Sequence, residues 1–155
     1  MLAAASGPLE GQPDVARWVC PDCRRQFARV RQGHECAPAM PLAEYLATGP
    51  PHERQIVEAV LAGLDAHPEI GPVHVEPVSV GIFLKRSRMF AELRPMTRWE
   101  AVTFLHPRTL RSARIARKVI EAGALRYHVV NVRTPDEVDD ELLGWLAEAY
   151  VASPE

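Results

Sequence analysis

The sequence predicts an α+β fold: a small antiparallel sheet of about four strands with flanking helices, preceded by a compact Cys/His module. Three observations carry this. Short runs of apolar residues at period two follow one another with connections of only a few residues, which suits an antiparallel meander. Apolar residues at 3.6-residue spacing mark helices on either side of those runs. All three cysteines lie between residues 20 and 36, and the remainder of the 155-residue chain has none.

Residues 1–16 are small, Gly- and Pro-containing and aperiodic, and read as a disordered tail. The Cys/His module spans residues 17–40. In MPLAEYLATGPP one short helical turn is expected within a linker of residues 41–50, stopped by Gly49, Pro50 and Pro51. The main domain then covers residues 51–152. Its first helix carries Ile56, Val57, Val60, Leu61 and Leu64 on one face and runs to about Ala66, where HPEIGP ends it. Val78, Val80, Ile82 and Leu84 alternate with Ser79, Gly81, Phe83 and Lys85, a strand pattern. KRSR forms a tight turn, MFAELRP a second strand, and residues 99–105 a third, completing a three-strand meander. A basic helix over residues 112–122 follows, ending at Gly123 as its C′ residue. Residues 127–132 supply the fourth strand. Thr134-Pro135-Asp136-Glu137 is a capping box with proline at N1, and Val138, Leu142, Trp145, Leu146 and Ala149 mark the buried stripe of the last helix.

Composition is that of a globular chain, 47% hydrophobic and 25% charged. The net charge of −2 conceals a strong asymmetry. Arginines crowd residues 17–36, and Lys and Arg dominate residues 81–118, while no basic residue follows Arg133. The N-terminal stretch has no basic region before its short apolar run, and no apolar run reaches the ~18 residues of a membrane span. The expected compartment is the reducing cytoplasm, where clustered cysteines serve as metal ligands or redox groups more often than as disulfides.

The cluster reads Cys20-x2-Cys23-x10-His34-x1-Cys36. A CxxC pair presents two thiolates to one ion from a tight turn, and His34 and Cys36 converge from an extended segment helped by Gly33. Four S and N ligands close a tetrahedron and leave no site for water, so the expected cofactor is a structural Zn2+. Metal bonds would replace the hydrophobic core that about twenty residues cannot build. A thiol redox pair is the competing reading, but no βαβ frame surrounds the CxxC, and Arg24 rules out haem attachment. No organic cofactor is expected.

Arg24, Arg25, Arg29 and Arg31 decorate this module between Trp18 and Phe27 and beyond, suited to phosphates with an aromatic for base stacking. Lys85, Arg86 and Arg88 form a second cluster in the KRSR turn. On the expected basic helix, Arg111, Arg114 and Lys118 share one face, opposite Ile115, Val119 and Ala122. Such a face is ordinarily just solvated, and the acidic last helix is a possible internal partner for it. Glu76, Glu92 and Lys85 invite comparison with a metal-dependent nuclease, but the acid-x-lysine element on one strand is absent, because Glu92-Leu93-Arg94 has arginine. No GxSxG, P-loop or HExxH occurs.

At VEPVSVGIFLKRSRMFAELRP the chain resembles a bacterial domain-of-unknown-function family, number 5655, and the resemblance continues through residues 99–105, Arg114-Ile115-Ala116-Arg117, His128-Val129-Val130-Asn131 and WLAEAY. It covers about residues 50–150. It implies the module boundary and the α+β fold, and a short Cys/His module in front is similar to that of some members. It implies no catalytic residues; motif density would put a pocket within residues 81–95, near Lys85, Phe90 and Arg94, where a strand-turn-strand fold signature is the competing reading. The expected function is binding, with nucleic acid the first candidate and no membrane. The alternatives are a protein-interaction adaptor and a nuclease-related hydrolase.

Overall fold

A computed structural model describes residues 18–153; the tail expected over residues 1–16 lies outside the described residues. The described residues open with a two-residue ladder, β1 (Trp18–Val19) against β2 (Gln26–Phe27), which folds the CPDC turn between them. Helix α1 (Leu42–Ala47) is the expected short turn, and it buries Tyr45 and Leu46 in the main core. Helix α2 (Glu53–Ala66) buries Ile56, Val57, Val60 and Leu64, the predicted stripe.

The large sheet has six strands, two more than expected: β3 (His74–Val78), β4 (Gly81–Lys85), β5 (Met89–Pro95), β6 (Glu100–His106), β7 (Ile120–Ala122) and β8 (Leu125–Val132). Their order is β3-β4-β5-β6-β8-β7, all antiparallel. The run from Val78 to Leu84 is therefore a hairpin and not one strand. Ser79 and Val80 form its turn and Val78 pairs with Gly81. Val78 and Ile82 consequently lie on opposite faces, and apolar alternation continued through the turn by coincidence. Pro77 is tolerated in β3 because that strand is a sheet edge.

The basic helix expected over residues 112–122 does not form. The chain there is irregular, with one bridge from Ile115 to Val130 and an Ala116 N–H donated to the Val129 carbonyl at 2.7 Å, before β7. Gly123 does adopt a left-handed φ of 65°, but as the first residue of the two-residue β7–β8 hairpin turn. The last helix also starts later than its capping box suggests. Pro135–Glu137 is a 3-10 turn without a side-chain cap at Thr134, and α3 (Asp140–Ala152) is capped by Asp139, which accepts from the Leu142 N–H at 3.0 Å.

Helices α2 and α3 bury one face of the sheet, where Ile82, Leu84, Leu93, Val102, Phe104 and Val130 meet Leu142 and Leu146. A bulge where Lys85 meets β5 leaves Phe90 as the extra residue, packed edge-on against Tyr150. The opposite, outer face carries Glu76, Phe83, Glu92, Thr103 and Val129 in one row and Lys85, Met89, Leu105 and Tyr127 in the next. Among the described residues no helix is long and apolar enough to cross a membrane.

Candidate metal centre and the cleft beside it

Cys20 leaves β1 and Cys23 ends the turn that follows. Cys20 donates its N–H to the Arg25 carbonyl at 3.0 Å and accepts at its own carbonyl from the Arg24 N–H at 2.8 Å. Arg24 closes this loop at φ 66°, a left-handed conformation that costs a non-glycine residue ~1–2 kcal/mol. His34 and Cys36 return to the loop from an extended segment. The Cys20 and Cys36 sulfurs are 3.6 Å apart, His34 Nε2 lies 3.4 Å from Cys23 Sγ and 3.6 Å from Cys36 Sγ, and all four ligand atoms lie within 4.8 Å of one another. The expected four residues thus form one Cys3His cluster able to hold a metal ion.

The electrostatics suit that role. The Cys23 backbone N–H aimed at Cys20 holds its thiol at about 6, low enough for thiolate at neutral pH. Cys36, hydrogen-bonded to Cys20 beside it, is pushed up to about 11. A cation in the middle would take the place of the proton these two sulfurs compete over. His34 donates from Nδ1 to the Gln32 carbonyl at 2.6 Å, which leaves the Nε2 lone pair facing the sulfurs. Behind the cluster, Phe27 stacks on His34 at 4.0 Å and Trp18 packs on both rings.

The knuckle is locked to the outer face of the sheet by Glu76, which is 2% exposed. Glu76 receives Arg25 Nε at 3.0 Å, Lys85 Nζ at 2.8 Å, the Gln26 N–H at 3.3 Å and His74 Nε2 at 3.4 Å. Burial pushes its carboxyl up, but the His74 hydrogen bond and the Lys85 and Arg25 charges more than reverse this and hold it at about 2. Lys85 also donates to the Gln26 carbonyl at 2.9 Å and lies over the Phe27 ring, while Arg25 lies over Phe83.

Between the knuckle and the outer face runs a cleft of about 320 Å³. Knuckle residues Arg25, Phe27 and Arg29 face Phe83 and Tyr127 of the sheet and Arg88 of the β4–β5 turn, and among the described residues no acidic side chain lines it.

The ten basic residues expected to meet nucleic acid fall into two groups. Arg25 and Lys85 are buried in the Glu76 network. Arg86 donates to the Tyr150 and Ser153 carbonyls at 3.3 Å each, closing the end of α3. Arg114 reaches Asp139 at 2.8 Å, Glu141 at 3.1 Å and the Glu137 carbonyl at 2.8 Å. Without the helix, no shared face of Arg111, Arg114 and Lys118 exists, and the acidic last helix neutralises the central member. Arg24, Arg29, Arg31, Arg88, Arg111 and Lys118 are exposed, and of these Arg29 and Arg88 line the cleft. Phe27, expected as a stacking platform, is buried, while Tyr127 is half-exposed. Lys85 does sit at the cleft as expected for residues 81–95, but Phe90 is in the core and Arg94 pairs with Glu92 at 2.7 Å. Both acids of the nuclease comparison are therefore occupied by basic partners. The residue that sequence reasoning misplaced most is Glu76; its signal was a lone acid among apolar β3 residues.

These features define a protein in which a Cys3His knuckle able to bind metal is docked on the open face of an α+β sheet. The chain belongs to the family described as Domain of unknown function (DUF5655), whose sequence profile matches residues 53–153; the Cys/His cluster precedes the matched stretch. No curated protein and no solved structure matches the chain.

Proposed function

We propose that this chain is a non-enzymatic, zinc-containing protein of the reducing cytoplasm that binds nucleic acid, with a knuckle of residues 17–40 carried on a domain of residues 51–152. Zinc is favoured by the donor set and the spacings. Zn–S bonds of ~2.3 Å and Zn–N bonds of ~2.0 Å put tetrahedral ligands about 3.5–3.8 Å apart, close to the 3.4 and 3.6 Å separations here. Four protein ligands leave no open position, so the ion's part is structural and it supplies no reacting water.

The observation that carries nucleic-acid binding is a cleft that Arg29, Arg88 and Tyr127 all line and to which, among the described residues, no acidic side chain contributes. Arginines pair with phosphates and an accessible aromatic takes a base. Fluorescence anisotropy with short DNA and RNA at several salt concentrations tests this: affinity is expected to fall steeply as salt rises. Absence of binding at the lowest salt refutes it.

A second reading, a protein-interaction adaptor, is favoured by an apolar groove of about 570 Å³ between α1, α2 and the edge strand β3, lined by Met40, Leu42, Leu61, Ile70 and Val75. It predicts a co-purifying protein and indifference to nucleic acid.

A further inference from the structure

We infer that the cleft seats a single strand of nucleic acid, with one backbone phosphate between Arg29 and Arg88, one base against Tyr127, and the strand continuing past Ser153. This rests on the nucleic-acid reading and specifies its ligand and seat. The cleft does not end at Tyr127. A second hollow of about 410 Å³, beside the β7–β8 hairpin and the end of α3, shares Arg88, Met89, Leu105 and Tyr127 with it. The two hollows adjoin at these four residues, and two adjoining hollows suit an extended polymer more than a single nucleotide. Among the described residues no carboxylate lines either part.

An independent observation lies at the far end. Ser153 lines the second hollow and is 4% exposed, and among the described residues its hydroxyl has no hydrogen-bond partner. A buried hydroxyl without a partner is costly, and a ligand group placed in the hollow would satisfy it. Arg29 and Arg88 likewise make no side-chain hydrogen bond or ion pair among the described residues, unlike Arg25, Arg86 and Arg114. Their charges are available to phosphate.

The strand must be single for a physical reason. Bases in a duplex are stacked on one another, and reading their edges takes a helix or ribbon inserted into a groove. Here the platform is a partly buried tyrosine in a cleft between knuckle and sheet, which accepts only a base already free of its stack.

The test compares a labelled mixed-sequence single strand with its blunt duplex, for wild type, Arg88→Gln, Arg29→Gln, Tyr127→Leu, Tyr127→Phe and Arg111→Gln. Single strand is expected to bind at least about tenfold more tightly than duplex. Tyr127→Leu is expected to weaken it about 5- to 150-fold, the range of one base stacking on an aromatic, and Tyr127→Phe to restore it. Arg88→Gln and Arg29→Gln should each lower the slope of log affinity against log salt by ~0.7, while Arg111→Gln leaves it unchanged. If Tyr127→Leu fails to fold, the exposed Arg88 decides. Binding by wild type that is undiminished in Arg88→Gln, or equal for duplex and single strand, overturns the seat while leaving nucleic-acid binding intact. No binding of either by wild type overturns both.

Discussion

Lys85 Nζ lies 2.8 Å from Glu76 Oε1, and both side chains are almost fully buried beneath the knuckle. This ion pair joins adjacent strands of the sheet and, through the Gln26 carbonyl and Arg25, fastens β2 to them. The knuckle thus has two sources of shape: its own ligands and the charge network it sits on.

Glu76→Gln removes the buried carboxylate that Arg25 and Lys85 share, and breaking a buried ion pair from one side costs roughly 3–5 kcal/mol. Urea unfolding is expected to show this loss, with early proteolysis near the knuckle. The pH sign follows from the depressed carboxyl. Its contribution is complete above the ordinary value of 4.5 and is lost as pH falls through about 2. Acid unfolding of wild type at low pH should be blunted in the variant, and a variant as stable as wild type at neutral pH would show that the network holds nothing.

Elemental analysis of wild type is expected to find about one zinc per chain, and Cys23→Ser to lose it. Trp18 packs on Phe27 and His34, so a chelator should shift its emission. Because the sulfurs must bind as thiolates, zinc retention should weaken on acidification. A reduced, metal-free preparation with the same Trp18 emission and melting temperature would count against the metal.

Glu100 and Glu53 are both buried, and Tyr45 donates to Glu53 Oε2 at 2.6 Å. Burial, and then the Glu53 charge, push the Glu100 carboxyl up to about 8. A raised carboxyl contributes stability that is complete below 4.5 and is lost as pH rises through about 8. Glu100→Gln stays neutral throughout, so it should remove up to ~1.4 kcal/mol per pH unit of slope in that window and melt higher than wild type above it. Melting curves across pH check this; identical slopes would sink it.

Arg114→Ala should cost about 1.5–3 kcal/mol, the range for hydrogen bonds to charged groups, because Arg114 ties the loop before β7 to the start of α3 through Asp139 and Glu141. Nucleic-acid affinity should not change. A variant that melts like wild type but binds more weakly would return Arg114 to the binding surface.

The parts that were legible in the sequence share one property: their signal is local. The stripe of α2 lies within one helix, the ligand spacing within one loop, and β5 is bounded by its own turn residues. The misreadings arose where distant residues decide. Ile115, Val119 and Ala122 alternate with Arg111, Arg114 and Lys118 as a helix would, yet Ile115 bridges to Val130 and Arg114 is drawn to Asp139. Val78 to Leu84 alternates across a turn that only pairing with β5 and β3 makes visible.

By itself the sequence determined the α+β class, the four groups of the Cys3His cluster and the two helices with clean apolar stripes, because each depends on residues a few positions apart. Only the tertiary structure decided which basic side chains are available. Arg25, Lys85 and Arg114 look no different along the chain from Arg29 and Arg88, but folding brings carboxylates to the first three and leaves the last two facing one cleft. A charge is neutralised by its neighbours in space, and those neighbours lie between 25 and 51 positions away for Arg114 and Arg25.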